Sequence, residues 1–255
     1  MNPTLQKILV PTAAIVIFLV VWEFIVWAAG WPNYKMASPS DLLPAFSKHW
    51  SLFLTMGWQT LWRTVVGLII AVIFGTGVGM IMGFSRLMRD ALYPLLVGFN
   101  AIPKATVVPI VALMFVGAHD FNTVLIAFMI SFFPIAVSVS IGLSTLEPEY
   151  RDILRSLGAS QSTIFWKIAL PKTLPEFFGA LKVAVTLAFI GTNLMEIVSP
   201  HGRGLGALFD SGKTNSDYPL MFAVLIALAA LGIVLYYIVV ALEKVFAGWA
   251  ERPQQ

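Results

Sequence analysis

The chain has 255 residues, of which 58% are hydrophobic and 11% are charged, and its formal net charge is +3. Soluble domains carry about 25% charged residues, so these proportions and a mean hydropathy of +0.85 exclude an ordinary soluble domain and indicate an integral membrane protein. The small, dispersed positive charge gives no support for nucleic-acid binding, and the absence of cysteine excludes disulfides and cysteine-ligated metals.

Six apolar runs are long enough to cross a hydrocarbon core of about 30 Å, which takes about 20 helical residues. Backbone polar groups must be satisfied within the segment in lipid, so we predict an all-α polytopic membrane protein with six transmembrane helices. The first run exceeds the core of a signal peptide, about 7–15 residues, and is expected to be retained. The predicted spans are Ile8–Ala29, Thr64–Phe84, Ala91–Ala118, Phe121–Leu143, Phe177–Val198 and Tyr218–Leu242.

The distribution of lysine and arginine predicts the orientation of the chain in the membrane. With both termini in the cytoplasm, the inner segments hold nine of these residues and the outer segments hold four, which favours this orientation. The inner set is Lys7, Arg86, Arg89, Arg151, Arg155, Lys167, Lys172, Lys244 and Arg252, and the outer set is Lys35, Lys48, Arg203 and Lys213.

Between the first two spans, Ser38 to Trp50 has the pattern of a short amphipathic helix. A serine, a proline and an aspartate form a helix-start signal, and apolar residues then recur at three- and four-residue spacing. We expect this helix to lie at the outer membrane surface, although the same face could receive a partner. In the second span, small residues recur at every fourth position and predict close helix packing; they are Gly67, Ala71, Gly75, Gly79 and Gly83.

The third predicted span is interrupted near its middle by Pro103, Lys104 and Pro109. Each proline removes a helix hydrogen bond, and a broken helix at membrane depth is tolerated where it is buried in protein or lines a cavity. A lysine at that depth marks a functional-site candidate. Two interpretations stay open for Lys104: it lines a translocation pathway, or it pairs with a neighbouring carbonyl or carboxylate.

Glu196 lies near the outer end of the fifth span and precedes a turn-rich, glycine-rich segment, Gly202 to Gly206. An ionisable residue at this depth is a candidate for an outer gate. Lys182, nearer the inner end of the same span, is expected to extend its ammonium group toward the interface.

The longest polar interruption of the chain runs from Glu147 to Glu176. We predict two short amphipathic helices, Tyr150–Leu157 and Gln161–Ala169, bent at Gly158, because glycine can supply a helix-ending turn. Their apolar edge favours docking into a groove on a soluble partner over simple contact with lipid headgroups. The residues of that edge are Ile153, Leu154, Leu157, Ile164, Phe165 and Ile168.

The spacing from Gly158 through Ile168 to Leu170-Pro171 resembles the cytoplasmic EAA loop of binding-protein-dependent ABC importer permeases. Asp152-Ile153-Leu154 stand where that motif has Glu-Ala-Ala, so the acid is kept in kind and both alanines are replaced. The resemblance covers roughly Thr55 to Leu242 and is strongest to the nitrate/sulfonate/taurine branch. It implies ATPase-coupling roles for Asp152, Ile153, Leu154, Gly158, Ile168, Leu170 and Pro171.

The resemblance also implies a type I importer fold, a second permease protomer, two ATPase subunits, a periplasmic or lipid-anchored solute-binding protein, and residence in the bacterial inner membrane. Candidate pathway or gate residues are Pro103, Lys104, Pro109 and Glu196. The implied solute is small and anionic, or heterocyclic like a pyrimidine-type thiamine precursor. Expected domain boundaries are 1–54 for the first helix and amphipathic segment, 55–246 for the transmembrane domain with a coupling loop at 144–176, and 247–255 for a tail.

Catalytic and nucleotide-binding motifs are not found in the sequence. Gly212-Lys213-Thr214 ends like a phosphate loop, but alanine stands at the first glycine position and no strand precedes it. We therefore expect no enzyme activity, no metal site at the three histidines and no cofactor in this chain, with ATP and magnesium on a partner ATPase. The alternative function is a self-contained secondary transporter or channel, for which the polar loop would be a passive linker.

Overall fold

The computed structural model describes residues 3–144, 153–199 and 202–251, and the regular structure in those ranges is helical. A helical turn at residues 153–156 precedes α7, which is α-helical over Gln161–Ile164, π-helical over Phe165–Ala169 and α-helical over Leu170–Val198. The other helices are α1 (Pro3–Ala29), α2 (Pro39–Lys48), α3 (Trp50–Phe84), α4 (Arg86–Ala101), α5 (Lys104–Met114), α6 (His119–Ser144), α8 (Leu205–Thr214) and α9 (Tyr218–Ala247).

Five of these helices are long and apolar enough to cross a membrane, namely α1, α3, α6, α7 and α9. Helices α4 and α5 pass the same test only as a pair, and they are bent by 86° at the break between them. If the bent pair counts as one span, the number of spans is the predicted six. The predicted break in the third span is confirmed, and it falls at Ile102 and Pro103.

Two helices begin far earlier than the sequence predicted. Helix α3 starts at Trp50 rather than Thr64, and two polar residues of its added part, Thr60 and Arg63, bond to Glu196. Helix α7 runs through Leu170 and Pro171 into the predicted loop, so Gln161–Ala169 is not a separate short helix as expected. Its π-helical turn widens the ladder just before Pro171, which lacks an N–H, and Leu170 N–H donates to the carbonyl of Phe165.

The centre of the bundle is α6, which packs between α3 and α7. The small-residue face of α3 lies against α6 so closely that a Cβ on Gly79 would come within 2.7 Å of Ala136 O and one on Gly83 within 2.8 Å of Leu143 Cβ. Gly67 and Gly75 meet α6 in the same way. The prediction of close packing on this face of α3 is therefore confirmed.

The bundle has two ends, which we name by what they carry. The loop end carries residues 153–169, and the α8 end carries α8, α2 and the end of α7. At the α8 end, the predicted amphipathic helix α2 buries Leu42 and Ala45 against α1 and α9, while Leu43 stays exposed. Glu23 of α1 fixes the start of α2 by accepting hydrogen bonds from the N–H and hydroxyl of Ser40, at 3.0 and 2.8 Å.

Candidate functional site

A buried ionic cluster ties α3, α6 and α7 together at the α8 end. Arg63 and Glu196 are only 2% and 1% exposed, and Arg63 Nη1 lies 3.2 Å from Glu196 Oε1. On its other side, the Arg63 guanidinium meets Asp120, with Nη2 2.6 Å and Nε 2.8 Å from Oδ1. Asp120 is largely exposed at the start of α6, so the guanidinium connects a fully buried carboxylate to the surface.

The rest of the Glu196 carboxylate is enclosed by α3 and by the segment before α8. Thr60 donates its hydroxyl to Oε2 at 2.8 Å and accepts the N–H of Leu205 at 2.9 Å. The N–H of Gly206 donates to Oε2 at 3.0 Å, and Arg63 donates to the carbonyl of Arg203. A buried charge is tolerated only when it is paired and hydrogen-bonded, and this carboxylate has both kinds of partner.

Three glycines make room for that arrangement. Gly204 has φ +124°, a backbone conformation that favours glycine, and a Cβ there would overlap the Glu196 carboxylate. A Cβ on Gly206 would come within 2.8 Å of Asn193 O, and one on Gly202 within 2.7 Å of Glu196 O. The segment from Gly202 to Gly206, which we predicted to be rich in turns, thus packs closely over Glu196 and covers it.

The break between α4 and α5 places Lys104 against the carboxyl end of α4. Its Nζ donates to the carbonyls of Phe99, at 3.2 Å, and of Asn100, and it lies 5.7 Å from the Phe99 ring centre. Of the two arrangements left open for Lys104, carbonyl pairing is the one seen. Pro103 and Pro109 are exposed on the same broken segment.

The structure does not bring all the sequence-predicted pathway residues together. Glu196 joins the ionic cluster, whereas Lys104 bonds to α4 and makes no described contact with Glu196. Sequence reasoning missed Arg63 and Thr60 as partners of Glu196, and Asp120 as the second partner of Arg63. The sequence signal for Arg63 was that this charged residue lies directly before the second predicted span. Ionisable groups at that depth pair with one another, so a carboxylate partner could have been expected.

A second ion pair joins α7 to α9 nearer the loop end. Lys182 Nζ lies 2.5 Å from Glu243 Oε2; Lys182 is partly accessible, whereas Glu243 is largely buried. The sequence predicted that the ammonium of Lys182 extends to the interface, but the structure gives it a carboxylate partner on the neighbouring helix. The pair gives Lys182 a structural role between α7 and α9.

The loop end has the opposite character, because apolar side chains are exposed there. Gly158 has φ +81° with open space around it and turns the chain between residues 153–156 and α7. Leu157 is 78% exposed, Ile153 56% and Trp166 63%. The helical turn and the bend at Gly158 agree with the predicted loop geometry, although its EAA-like Asp152 lies outside the described residues.

The predicted apolar edge of this loop is divided between two faces. Ile164 is buried, and Leu154, Phe165 and Ile168 pack against the core formed by α3, α6 and α7. Only Ile153 and Leu157 of the predicted edge face outward, and Trp166 joins them. Expecting the whole edge to face a partner was therefore wrong, because four of its six side chains pack against the bundle of this chain.

The histidines also depart from expectation. His119 was expected to be an ordinary surface residue, but it is half-buried and its Nδ1 lies 2.6 Å from Ser199 Oγ of α7. His49 has a buried Nε2 with no hydrogen-bond partner among the described residues. His201 lies outside the described residues.

Comparison with known proteins identifies the family. Residues 71–247 match the family described as the binding-protein-dependent transport system inner membrane component. The chain belongs to this family. It is a multi-pass permease subunit of an ABC importer in the bacterial inner membrane, of the nitrate/sulfonate/taurine-type branch.

Individual relatives agree with this assignment over nearly their whole length. The formylaminopyrimidine transport permease protein ThiX of Halalkalibacterium halodurans is 30% identical over 95% of this chain and 96% of its own. The nitrate import permease protein NrtB of Synechocystis is 27% identical over 89% and 84%, and the taurine transport system permease protein TauC of Escherichia coli is 24% identical over 97% and 92%.

Solved structures support the fold. An inward-facing structure of the MetNI methionine ABC transporter matches with a TM-score of 0.63 at 19% identity, and the match covers 79% of this chain and 98% of that one. This likeness establishes the type I importer permease fold. It carries no information about what this chain transports.

Proposed function

We propose that this permease subunit moves a small organic solute into the cytoplasm, driven by a separate ATPase subunit that docks on the Glu147–Glu176 loop. In this proposal the loop end and both termini face the cytoplasm, as the lysine and arginine distribution favours. ATP and magnesium bind the ATPase, and this chain needs no cofactor of its own. A second permease protomer and a solute-binding protein complete the transporter.

The observation that carries the proposal is the exposed apolar surface at the loop end. Leu157 and Ile153 precede the Gly158 turn and Trp166 follows it, and all three side chains are exposed. Ile164 and Ile168 anchor the same segment in the core, so a push on the exposed face is transmitted into α7. For that push to drive transport, the ATPase must bind the two permease conformations with different affinity.

At the α8 end, the proposal gives the ionic cluster the role of an outer gate. Glu196, held by Arg63, fixes the Gly202–Gly206 cover to α3 and α7. A movement of α7 relative to α3 would separate those partners and release the cover. The broken segment with Pro103, Lys104 and Pro109 is proposed to line the path between the two ends.

The solute is proposed to be small and either anionic or heterocyclic. The relatives named above transport formylaminopyrimidine, nitrate and taurine according to their names, so family membership alone does not choose between these classes.

Docking is tested by replacing one exposed tryptophan at the loop end and a matched one elsewhere. Trp166→Ala removes a side chain that is 63% exposed on the proposed docking face, and Trp249→Ala removes one that is 53% exposed after α9. Buried interface tryptophans contribute about 2 kcal/mol or more, so Trp166→Ala should weaken ATPase binding roughly thirty-fold.

The measurement is the affinity of the solubilised permease for the ATPase subunit of the same transport system, with ATP-driven uptake in proteoliposomes as the second readout. Trp249→Ala should bind the ATPase as the unaltered protein does. If the unaltered permease binds no ATPase and still catalyses uptake, the self-contained transporter is correct instead. Equal binding by both variants would remove Trp166 from the docking surface.

A further inference from the structure

Asp120 is the solvent-exposed member of the ionic cluster at the α8 end. Its side chain is 61% exposed, whereas the Arg63 side chain that it binds is 2% exposed. Arg63 Nη2 and Nε both bind Oδ1 of Asp120, at 2.6 and 2.8 Å. Oδ2 of Asp120 accepts no hydrogen bond from the described residues. One oxygen of this exposed carboxylate is therefore left for a donor from outside the chain.

The charges of the cluster do not cancel. It contains the two carboxylates of Glu196 and Asp120 and the single guanidinium of Arg63, so one negative charge is in excess when both carboxylates are ionised. Glu196 is 1% exposed and is enclosed by Thr60 and the N–H of Gly206. A partner can therefore meet the excess charge only at Asp120. Charges across protein interfaces are arranged to be complementary, so this position suits a basic side chain of a partner.

Arg203 is a second exposed charge held by the same guanidinium. Its backbone carbonyl accepts a hydrogen bond from Arg63 Nη1, and its side chain is exposed. Within the described part of the chain, the Arg203 side chain has no hydrogen bond and no ion pair. Because a guanidinium is a small planar group, the carboxylate of Asp120 and the backbone of Arg203 lie close together at its edge. The surface over Arg63 thus presents an anion with one free oxygen beside an unpaired cation.

Both exposed charges are connected to Glu196 through one intervening residue. Arg63 uses Nε and Nη2 on Asp120 and Nη1 on Glu196, so a cation that binds Asp120 competes with Arg63 for that carboxylate. Arg203 is followed directly by Gly204, which lies so close to Glu196 that a Cβ on it would overlap the carboxylate. A contact made at this surface therefore changes the forces on Glu196 and on the Gly202–Gly206 cover.

We propose that Asp120 and Arg203 form a docking surface for the solute-binding protein, which presents a basic side chain to Asp120 and an acidic one to Arg203. Arg63 is a positioning residue that transmits docking to Glu196 and so to the outer gate. The inference rests on the proposed function, which places the α8 end on the outer face, and names the surface that receives the binding protein. For docking to open the gate, that protein must bind the released arrangement of Arg63 and Glu196 more tightly than the closed one.

Docking is tested by reversing one charge of the surface and a matched charge beside it. Arg203→Glu changes a side chain that has no polar contact in the described part of the chain, and Lys213→Glu makes the same reversal on exposed α8. The permease and its ATPase are assembled in proteoliposomes, and ATP hydrolysis is titrated with the solute-loaded binding protein of the same transport system. The half-saturating concentration should rise about ten-fold or more for Arg203→Glu and less than about two-fold for Lys213→Glu, because like charges across an interface repel. The difference should shrink in about 0.5 M salt, which screens exposed charges.

Transmission through Arg63 is tested by Asp120→Asn, with Asp210→Asn on α8 as the matched control. Asparagine keeps an acceptor for Arg63 but removes the negative charge, so Arg63 is held less firmly. Asp120→Asn should raise the half-saturating concentration of the binding protein and also raise ATP hydrolysis in its absence, whereas Asp210→Asn should change neither. Melting curves show whether each variant is folded. An unchanged rate of hydrolysis without the binding protein, in a folded Asp120→Asn variant, would overturn the transmission through Arg63.

The same proteoliposomes keep this inference separate from the proposed function. If the unaltered complex shows no binding-protein-dependent hydrolysis and no uptake, the import function and the docking surface are both overturned. If the unaltered complex responds to the binding protein, but Arg203→Glu responds as Lys213→Glu does, the import function stands and the docking surface is overturned.

Discussion

The two ends of the bundle carry different candidate sites, a buried ionic cluster at the α8 end and exposed apolar side chains beside a glycine turn at the loop end. At the α8 end, charged side chains are buried and bonded to each other, with Arg63 and Glu196 2% and 1% exposed. At the loop end, apolar side chains are exposed, with Leu157 at 78% and Trp166 at 63%. Each arrangement is unfavourable by itself, because water solvates charges better than protein does and repels apolar surface.

The difference shows which end is complete within this chain. The buried charges of the α8 end have partners on α3, α6 and α7 and in the segment before α8. These partners offset the free-energy cost of burying the charges. The exposed face of the loop end is left uncovered by the described residues, and in our proposal the ATPase covers it. Substitutions in the ionic cluster of the α8 end are therefore expected to destabilise the permease itself. Substitutions on the exposed face of the loop end are expected to change only its binding to the ATPase.

The largest effect is expected from Arg63→Ala. This change leaves Glu196 buried without its counter-charge, and breaking a buried pair costs about 3–5 kcal/mol. The apparent melting temperature of the solubilised permease should fall by about 10 °C, since each kcal/mol shifts it by about 2–4 °C in a protein of this size. Lys182→Ala is the control, because the side chains of Lys182 and Glu243 are 25% and 12% exposed against 2% and 1% for Arg63 and Glu196, so its loss should shift melting less. Equal shifts of the melting temperature in the two variants would show that the Arg63–Glu196 pair does not contribute more to stability than the Lys182–Glu243 pair.

A pair of glycine substitutions compares the two ends directly. Gly204 and Gly158 both have positive φ, but a Cβ on Gly204 would overlap the Glu196 carboxylate, whereas a Cβ on Gly158 would meet nothing within 4 Å. Alanine in the left-handed region costs about 1–2 kcal/mol on conformational grounds alone. Gly204→Ala should therefore lower the melting temperature clearly more than Gly158→Ala.

The second readout of that pair is ATPase binding. Gly158→Ala should weaken binding of the ATPase although the bundle stays folded, because the turn orients Leu157 and Trp166. Gly204→Ala, if it remains folded, should bind the ATPase normally. A reversal of this order would mean that the two ends are not independent.

The smallest effect on stability is expected from Lys104→Met. The side chain is only partly buried, and its Nζ bonds to α4 carbonyls that can otherwise meet water or ordinary helix-end partners. Melting and ATPase binding should stay near those of the unaltered protein, while the uptake rate changes if the broken segment lines the path. Uptake at the unaltered rate would remove Lys104 from the pathway.

Sequence patterns predicted most of the fold because the signals were local. Apolar run length located the spans, four-residue spacing located the packed face of α3, and Pro103 located the break between α4 and α5. The start of α7 could not be found in this way, since Leu170-Pro171 is typical of a helix boundary. Only the π-helical turn over Phe165–Ala169 lets the helix continue through it.

The candidate sites divide along the same line. Gly158 and the spacing to Pro171 were readable because the loop is a contiguous motif. Arg63 and Thr60 were missed as partners of Glu196, and Asp120 was missed as a partner of Arg63, because these residues lie on helices other than that of Glu196. The apolar edge of the loop was overestimated because periodicity gives one face of a helix but not which neighbour covers it.

The sequence by itself determined the membrane-spanning class, the number of spans, the broken third span and the loop that resembles an ATPase-coupling element. Each of these depends on hydrophobicity or spacing within a few tens of residues. The tertiary structure alone decided that Glu196 pairs with Arg63 and that Lys104 bonds to carbonyls of α4. Those outcomes depend on which helices lie side by side, and packing, not local propensity, sets that choice.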